Sequence, residues 1–259
     1  MHAAMIVGAI ALVGLFLGML LLLEAGRRVR LRLMAREAEK PVAGLGVVEG
    51  ALFGLMGLVI AFTFSGAASR FDARRHLIVE EANDIGTAYL RLDLVPASAQ
   101  PQLREKFRRY VDARLETYRV LPDLDAAMTQ MAKAAELRRE IWNQSIVAAR
   151  EATNPQTGML LLPALNAMFD IANTRYWATQ SHPPLFIFGL LGTLALACSL
   201  LAGYGMAGGK ARNWLHVVGF AIIVTLTVYV IVDMEYPRMG FIRVDSFDQA
   251  LVDVRADMQ

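Results

Sequence analysis

Long runs without any charge alternate along the chain with stretches in which charged and apolar residues interleave at helical spacing. Ala3 to Leu23 carry no charged residue, a run of about 21 that matches the ~20 residues a helix needs to cross a ~30 Å hydrocarbon core. Further charge-free runs extend from Gly50 to Ser69, from Pro183 to Gly209 and from Asn213 to Val232. Each predicts a membrane-spanning helix. Gly203, Gly205, Gly208 and Gly209 are expected to end the third. Trp214 and Tyr229 near the ends of the fourth, and Tyr204 near the end of the third, suit the headgroup level, where amphipathic rings collect.

Between the second and third runs the pattern becomes amphipathic. No proline interrupts Ala43 to Val95, so the second span is expected to leave the membrane near Arg70 and continue as one helix to the linker between Pro96 and Pro101. Leu103, Phe107, Tyr110, Val111, Leu115 and Tyr118 then recur three and four apart, which predicts a helix that stops near Leu121 and Pro122. A third helix fits Leu124, Met128, Met131, Ala135, Ile141 or Trp142, and Ile146. A fourth fits Leu161, Leu165, Met168, Ala172 and Tyr176, before Ser181-His182-Pro183-Pro184 breaks it. In the tail, Phe247, Leu251 and Val254 predict a short helix from Asp245 to Asp257. The expected fold is an all-α membrane protein with four transmembrane helices in two hairpins and a helical, water-exposed middle domain. Its segments are 1–69 (first hairpin), 70–182 (helical domain), 183–233 (second hairpin) and 234–259 (tail).

Composition agrees with a lipid solvent. The mean hydropathy of +0.40 and the 56% hydrophobic content are too high for an ordinary soluble enzyme. A cleavable signal peptide is the competing reading of the first run. It is disfavoured because the basic stretch from Arg27 to Arg32 follows the apolar run instead of preceding it. The only cysteine, Cys198, lies in an apolar run, so one chain can build neither a disulfide nor a thiolate metal cluster. Arg27, Arg28, Arg30, Arg32, Arg36 and Lys40 in the first short loop, with Lys210 and Arg212 in the second, outnumber Arg70, Arg74, Arg75, Arg175, Arg238 and Arg243 near the other face. The positive-inside rule then predicts a multi-pass protein of the cell (inner) membrane, with both termini and the middle domain outside the cytoplasm.

Candidate chemistry is sparse. His76 and Glu80 stand four apart, with Glu81 and Asp84 beside them, yet a catalytic metal needs three protein ligands and His2, His182 and His216 lie in other settings. An interhelical or solvated salt-bridge face is the expectation there. Arg70, Arg74 and Arg75 at the mouth of the second span either attract anions or mark the interface by snorkelling. Gly14 and Gly18 in the first span, and Gly50, Gly54 and Gly57 in the second, are spaced for close helix approach. Asn166, Asp170, Asn173 and Trp177 form a polar stripe, either ordinary surface or a contact face. No phosphate loop, nucleophile elbow or HExxH pattern is present, and basic residues are interleaved with acids, so no catalytic residue, cofactor, metal or nucleic-acid partner is assigned.

The segment FTFSGAASRFDARRHLIVEEANDIGTAYLRLDLVP, Phe62 to Pro96, resembles the signature of the bacterial bestrophin-like membrane proteins. So do LLPALNAMFDIANTR (Leu161 to Arg175), Ser181-His182-Pro183-Pro184 and DMEYPRMGFIRVD (Asp233 to Asp245). The passage of an apolar helix through Phe64 into the arginines at Arg70, Arg74 and Arg75, with the two-hairpin plan, is similar to the bestrophin anion channels. That resemblance implies a homo-oligomer, pentameric as in bestrophins, in the lipid bilayer. It further implies small anions as permeant species and a central pore lined by the second span, with an apolar neck that gates by dewetting. Met56, Ile60 and Phe64 are one candidate ladder for that neck; Leu55, Val59 and Phe62 are the alternative. A non-conducting scaffold or sensor is the rival function.

Overall fold

A computed structural model describes residues 2–36, 45–208 and 214–258, with the side chains of 2–7, 45 and 208 excepted. Lys40, Gly209, Lys210, Arg212 and Asn213 lie outside the described residues, as does the side chain of His2. Among the described residues every regular element is helical, and four helices are long and apolar enough to cross a membrane. The chain divides into two units. One comprises 2–69 and 182–236; the other comprises 70–181 and 237–259.

The first unit contains α1 (His2–Arg36), α6 (Leu185–Gly205), α7 (Trp214–Glu235) and the N-terminal half of α2 (Leu45–Leu90). Its core is small: Met19, Met56, Leu194, Ala195, Cys198, Ala221 and Val224. Many other apolar side chains, including Ile10, Leu17, Leu21, Leu55, Phe62, Phe186 and Ile223, are exposed. Exposed apolar surface on this scale needs lipid or other helices as its solvent.

The close approach that the structure shows in this unit uses other glycines than those of the second span. α1 packs on α6 and α7. A Cβ on Gly26 would stand 2.0 Å from the Leu200 carbonyl oxygen, and one on Gly203 would stand 1.9 Å from that of Leu23. Gly203 therefore does not end α6. It lies within the helix and lets the α1 backbone touch it, as small residues do at membrane helix crossings. Gly18 meets the Leu196 side chain, whereas Gly14 has nothing within 4 Å of a built Cβ.

The second unit holds the C-terminal half of α2, α3 (Gln100–Arg119), α4 (Leu124–Glu151), α5 (Gln156–Gln180) and α8 (Gln249–Ala256). α2 runs without a break to Leu90 and passes into a 3-10 turn over Arg91–Leu94 before the proline linker. Asp123 caps α4 by accepting from the Ala126 amide at 3.0 Å. The core gathers the expected apolar stripes: Ile85, Leu103, Phe107, Tyr110, Leu137, Ile141, Leu161, Leu165 and Met168. α8 joins it through Leu251, and Arg255 grips Asp112 of α3 with two hydrogen bonds of 2.7 and 3.1 Å. The C-terminal segment is thus part of the helical domain.

Candidate pore helix and its arginines

On a helix, positions about 100° apart are sorted between a facing side and an open side, and α2 shows one such division along its length. Met56, Ala67, Arg74, Ile78, Glu81, Ile85 and Ala88 are buried. Gly50, Gly54, Leu55, Gly57, Leu58, Phe62, Ser65 and Ser69 are exposed, and further along so are Asp72, His76, Glu80, Asn83 and Thr87. Only 6% of the most apolar window of α2 is buried against its own chain, the smallest share among the four spans.

This division separates the two ladders. Met56 is 6% exposed and sits in the first unit's core with Met19 and Leu194, and Ile60 packs against that core. Met56 is therefore not free to line a shared axis, because its own chain occupies the surface a pore would need. Phe64 is 43% exposed. In the alternative ladder Leu55 and Phe62 are exposed at 45% and 70%, while Val59 is half-buried. Among the described residues, nothing lies within 4 Å of a Cβ built on Gly50, Gly54 or Gly57.

The arginines following the span face different neighbours. Arg74 is buried and caps the end of α5, donating to the carbonyls of Ala178 at 3.1 Å and Ser181 at 2.9 Å. Arg75 pairs with Asp72 at 2.9 Å and lies over the Phe247 ring, 4.2 Å from its centroid. Arg70 is half-buried. Arg74 and Arg75 are thus engaged by the protein's own carbonyls, carboxylate and ring, and Arg70 is not without a partner either.

His76, Glu80 and Glu81 do not converge. His76 and Glu80 lie on the open side of α2, whereas Glu81 is fully buried. Asp84 titrates above its ordinary range, first because of partial burial and then because of the neighbouring Glu80 charge. Asn166, Asp170, Asn173 and Trp177 are all exposed, along one face of α5.

Glu81 is the keystone of a network the sequence reading missed. Arg114 of α3 and Arg175 of α5 donate to its two oxygens, each at 2.6 Å. Arg175 also donates to Asp248 at 3.0 Å, which in turn accepts from Arg238 at 2.7 and 2.9 Å. The Tyr118 ring lies beneath Arg175 and Arg238, 4.0 and 4.4 Å from their guanidinium carbons. Burial alone raises the Glu81 pKa, but the charges and hydrogen bonds of Arg114 and Arg175 outweigh it and hold the carboxyl below its usual range. A signal for these residues exists in the sequence. Glu81, Arg114 and Arg175 each occupy a position where the apolar stripe of their helix calls for a core residue, and a charge there demands a partner.

The N-terminal half of α2 is thus an apolar helix with one buried edge, continuous with the part of α2 that packs in the helical domain. Residues 13–247 match the Bestrophin-like domain, most of the chain. The chain belongs to the Bestrophin-like family. No curated protein sequence matches it. The fold of this family member is similar to the crystal structure of a bacterial bestrophin homologue from Klebsiella pneumoniae, determined for a point mutant. The TM-score is 0.66 at 15% sequence identity, over 96% of this chain and 98% of that one.

Proposed function

We propose that this bestrophin-like protein is a homo-oligomeric ion channel whose passage is lined by the exposed face of α2. The observation that carries the reading is the exposure of that face among the described residues, on the least buried of the four spans. Leu58 lies at its centre, with Leu55 and Phe62 beside it, and these form an apolar constriction of the kind that gates by dewetting. Gly50, Gly54 and Gly57 flank the line and let the α2 helices of neighbouring copies approach closely. The pore reading moves accordingly from Met56 and Ile60 to Leu55, Leu58 and Phe62, with Phe64 at the margin.

Pentameric assembly and small anions as the permeant species follow from the bestrophin resemblance. Asp72 and Glu80 on the open side of α2 oppose the anion reading. Reconstitution into planar bilayers tests both levels. Ionic conductance with a reversal potential that follows chloride supports the full proposal. A reversal potential that follows sodium or potassium retains the channel and removes the anion. Closed oligomers without conductance at any voltage or pH favour the scaffold or sensor.

A further inference from the structure

α1 outlasts the bilayer it crosses. Its charge-free run ends at Leu23, yet the helix continues to Arg36, 35 residues in all, about 52 Å at 1.5 Å per residue against ~40–45 Å for a bilayer with its headgroups. The added turns, Glu24 to Arg36, hold five arginines and one glutamate. Between the arginines, Val29, Leu31, Leu33 and Met34 are 41–50% exposed. Hydrocarbon rejects the guanidinium groups and bulk water rejects the apolar side chains, whereas the headgroup layer accommodates both.

Arg30 differs from its neighbours. Arg28 and Arg27 go to Glu24, at 2.7 and 3.6 Å. Arg30 instead continues the stripe of Met19, Leu23 and Gly26, all three of them buried, along which α1 meets α6. One turn past the backbone contact at Gly26, its guanidinium lies over the Tyr204 ring, 4.9 Å from the centroid. The Nε is buried and has no hydrogen-bond partner. Glu49 of α2, whose Oε1 would stand 3.1 Å from a Cβ on Gly205, likewise keeps that oxygen buried and without a hydrogen bond, so Nε and Oε1 do not satisfy one another. A guanidinium presents several donors in a planar fork, and one held away from bulk water calls for an acceptor. Arg30 lies ~10 Å along the helix past Leu23, a depth at which a snorkelling side chain meets headgroup phosphates.

We propose that Arg30, set against Tyr204 at the end of α6, binds the headgroup phosphate of an anionic phospholipid. The planar fork pairs with two phosphate oxygens at once, and the surplus of arginine over glutamate in the same turns draws a lipid of net negative charge in preference to a zwitterionic one. The bound lipid covers exposed apolar side chains of these turns and ties the end of α1 to that of α6. None of this rests on conduction.

Titration of the full-length protein with dioleoyl phosphatidylglycerol and with dioleoyl phosphatidylcholine, the bound lipids being counted by native mass spectrometry from mild detergent, tests it. Phosphatidylglycerol should bind the wild type more tightly than phosphatidylcholine. Arg30→Gln should weaken phosphatidylglycerol binding at least about tenfold, the loss of a charge-assisted contact. Arg28→Gln removes the same charge from an exposed position already paired with Glu24 and should weaken it less than about twofold. Equal losses in the two variants would reduce the site to diffuse attraction and overturn the proposal, as would a wild type indifferent to lipid charge. Displacement of the lipid by glycerol phosphate at equal concentration would assign the arginine to a soluble anion and overturn it too. Arg30→Lys guards against a folding artefact. With charge and melting point retained, phosphatidylglycerol should still bind more weakly than to the wild type because the fork is gone; undiminished binding would contradict the bidentate contact.

Discussion

Glu81 concentrates the energetics of the helical domain in one side chain. It is fully buried and ionised between two guanidinium groups on separate helices. Breaking a buried ion pair by deleting one partner costs about 3–5 kcal/mol, whereas exposed pairs such as Arg108 with Glu105 contribute about 0–1 kcal/mol. Glu81→Gln should therefore lower the thermal midpoint in detergent by many degrees, and Glu105→Gln should leave it nearly unchanged. The pH dependence has a definite sign. A carboxyl whose folded pKa is depressed contributes stability that is fully present above its unfolded value of about 4.3 and is lost as pH falls through the lower folded value. The thermal midpoint of the wild type should fall between pH 5 and pH 3, and the slope should be shallower in Glu81→Gln. Equal slopes would show that Glu81 does not carry that acid sensitivity.

At the level of elements, the glycines separate two kinds of contact. Gly203 and Gly26 mark where α6 and α1 touch backbone to backbone, with no room for a side chain. Gly203→Leu should reduce yield and thermal stability by at least the ~1–3 kcal/mol of an overpacked core, measurable by detergent melting. Gly54 has open space around it among the described residues, so Gly54→Leu should leave the monomer's melting intact while lowering the oligomer fraction on size exclusion in mild detergent. An unchanged elution profile would remove Gly54 from the subunit contact. The spans, the continuation of α2 and the amphipathic helices were legible because charge-free length and three-to-four spacing are properties of a single segment. The partner of a glycine is not such a property. Spacing marked Gly14, Gly18 and Gly54 as small, but only three-dimensional packing assigns α6 to α1 and exposes Gly54. In the same way Met56 and Leu55 are both apolar neighbours in sequence, and burial alone tells the core residue from the open one.

For the molecule as a whole, orientation and conduction can each be tested with a single introduced cysteine. Charge density after the first span favours the helical domain outside the cytoplasm. Ser98, exposed in the turn before α3, offers the test: Ser98→Cys in a Cys198→Ser background should react with a membrane-impermeant maleimide when only the outer barrier of the cell is permeabilised. Reaction only after lysis of the inner membrane reverses the orientation. The open face of α2 is proposed to line an ion passage. Cysteines placed singly at Leu58 and at Met56, again without Cys198, test it most directly in bilayers during exposure to a charged thiosulfonate. Modification of Leu58→Cys should change the conductance at least severalfold while Met56→Cys, inside the chain's own core, is unaffected. A conductance indifferent to the reagent at Leu58 but altered at Met56 would contradict it.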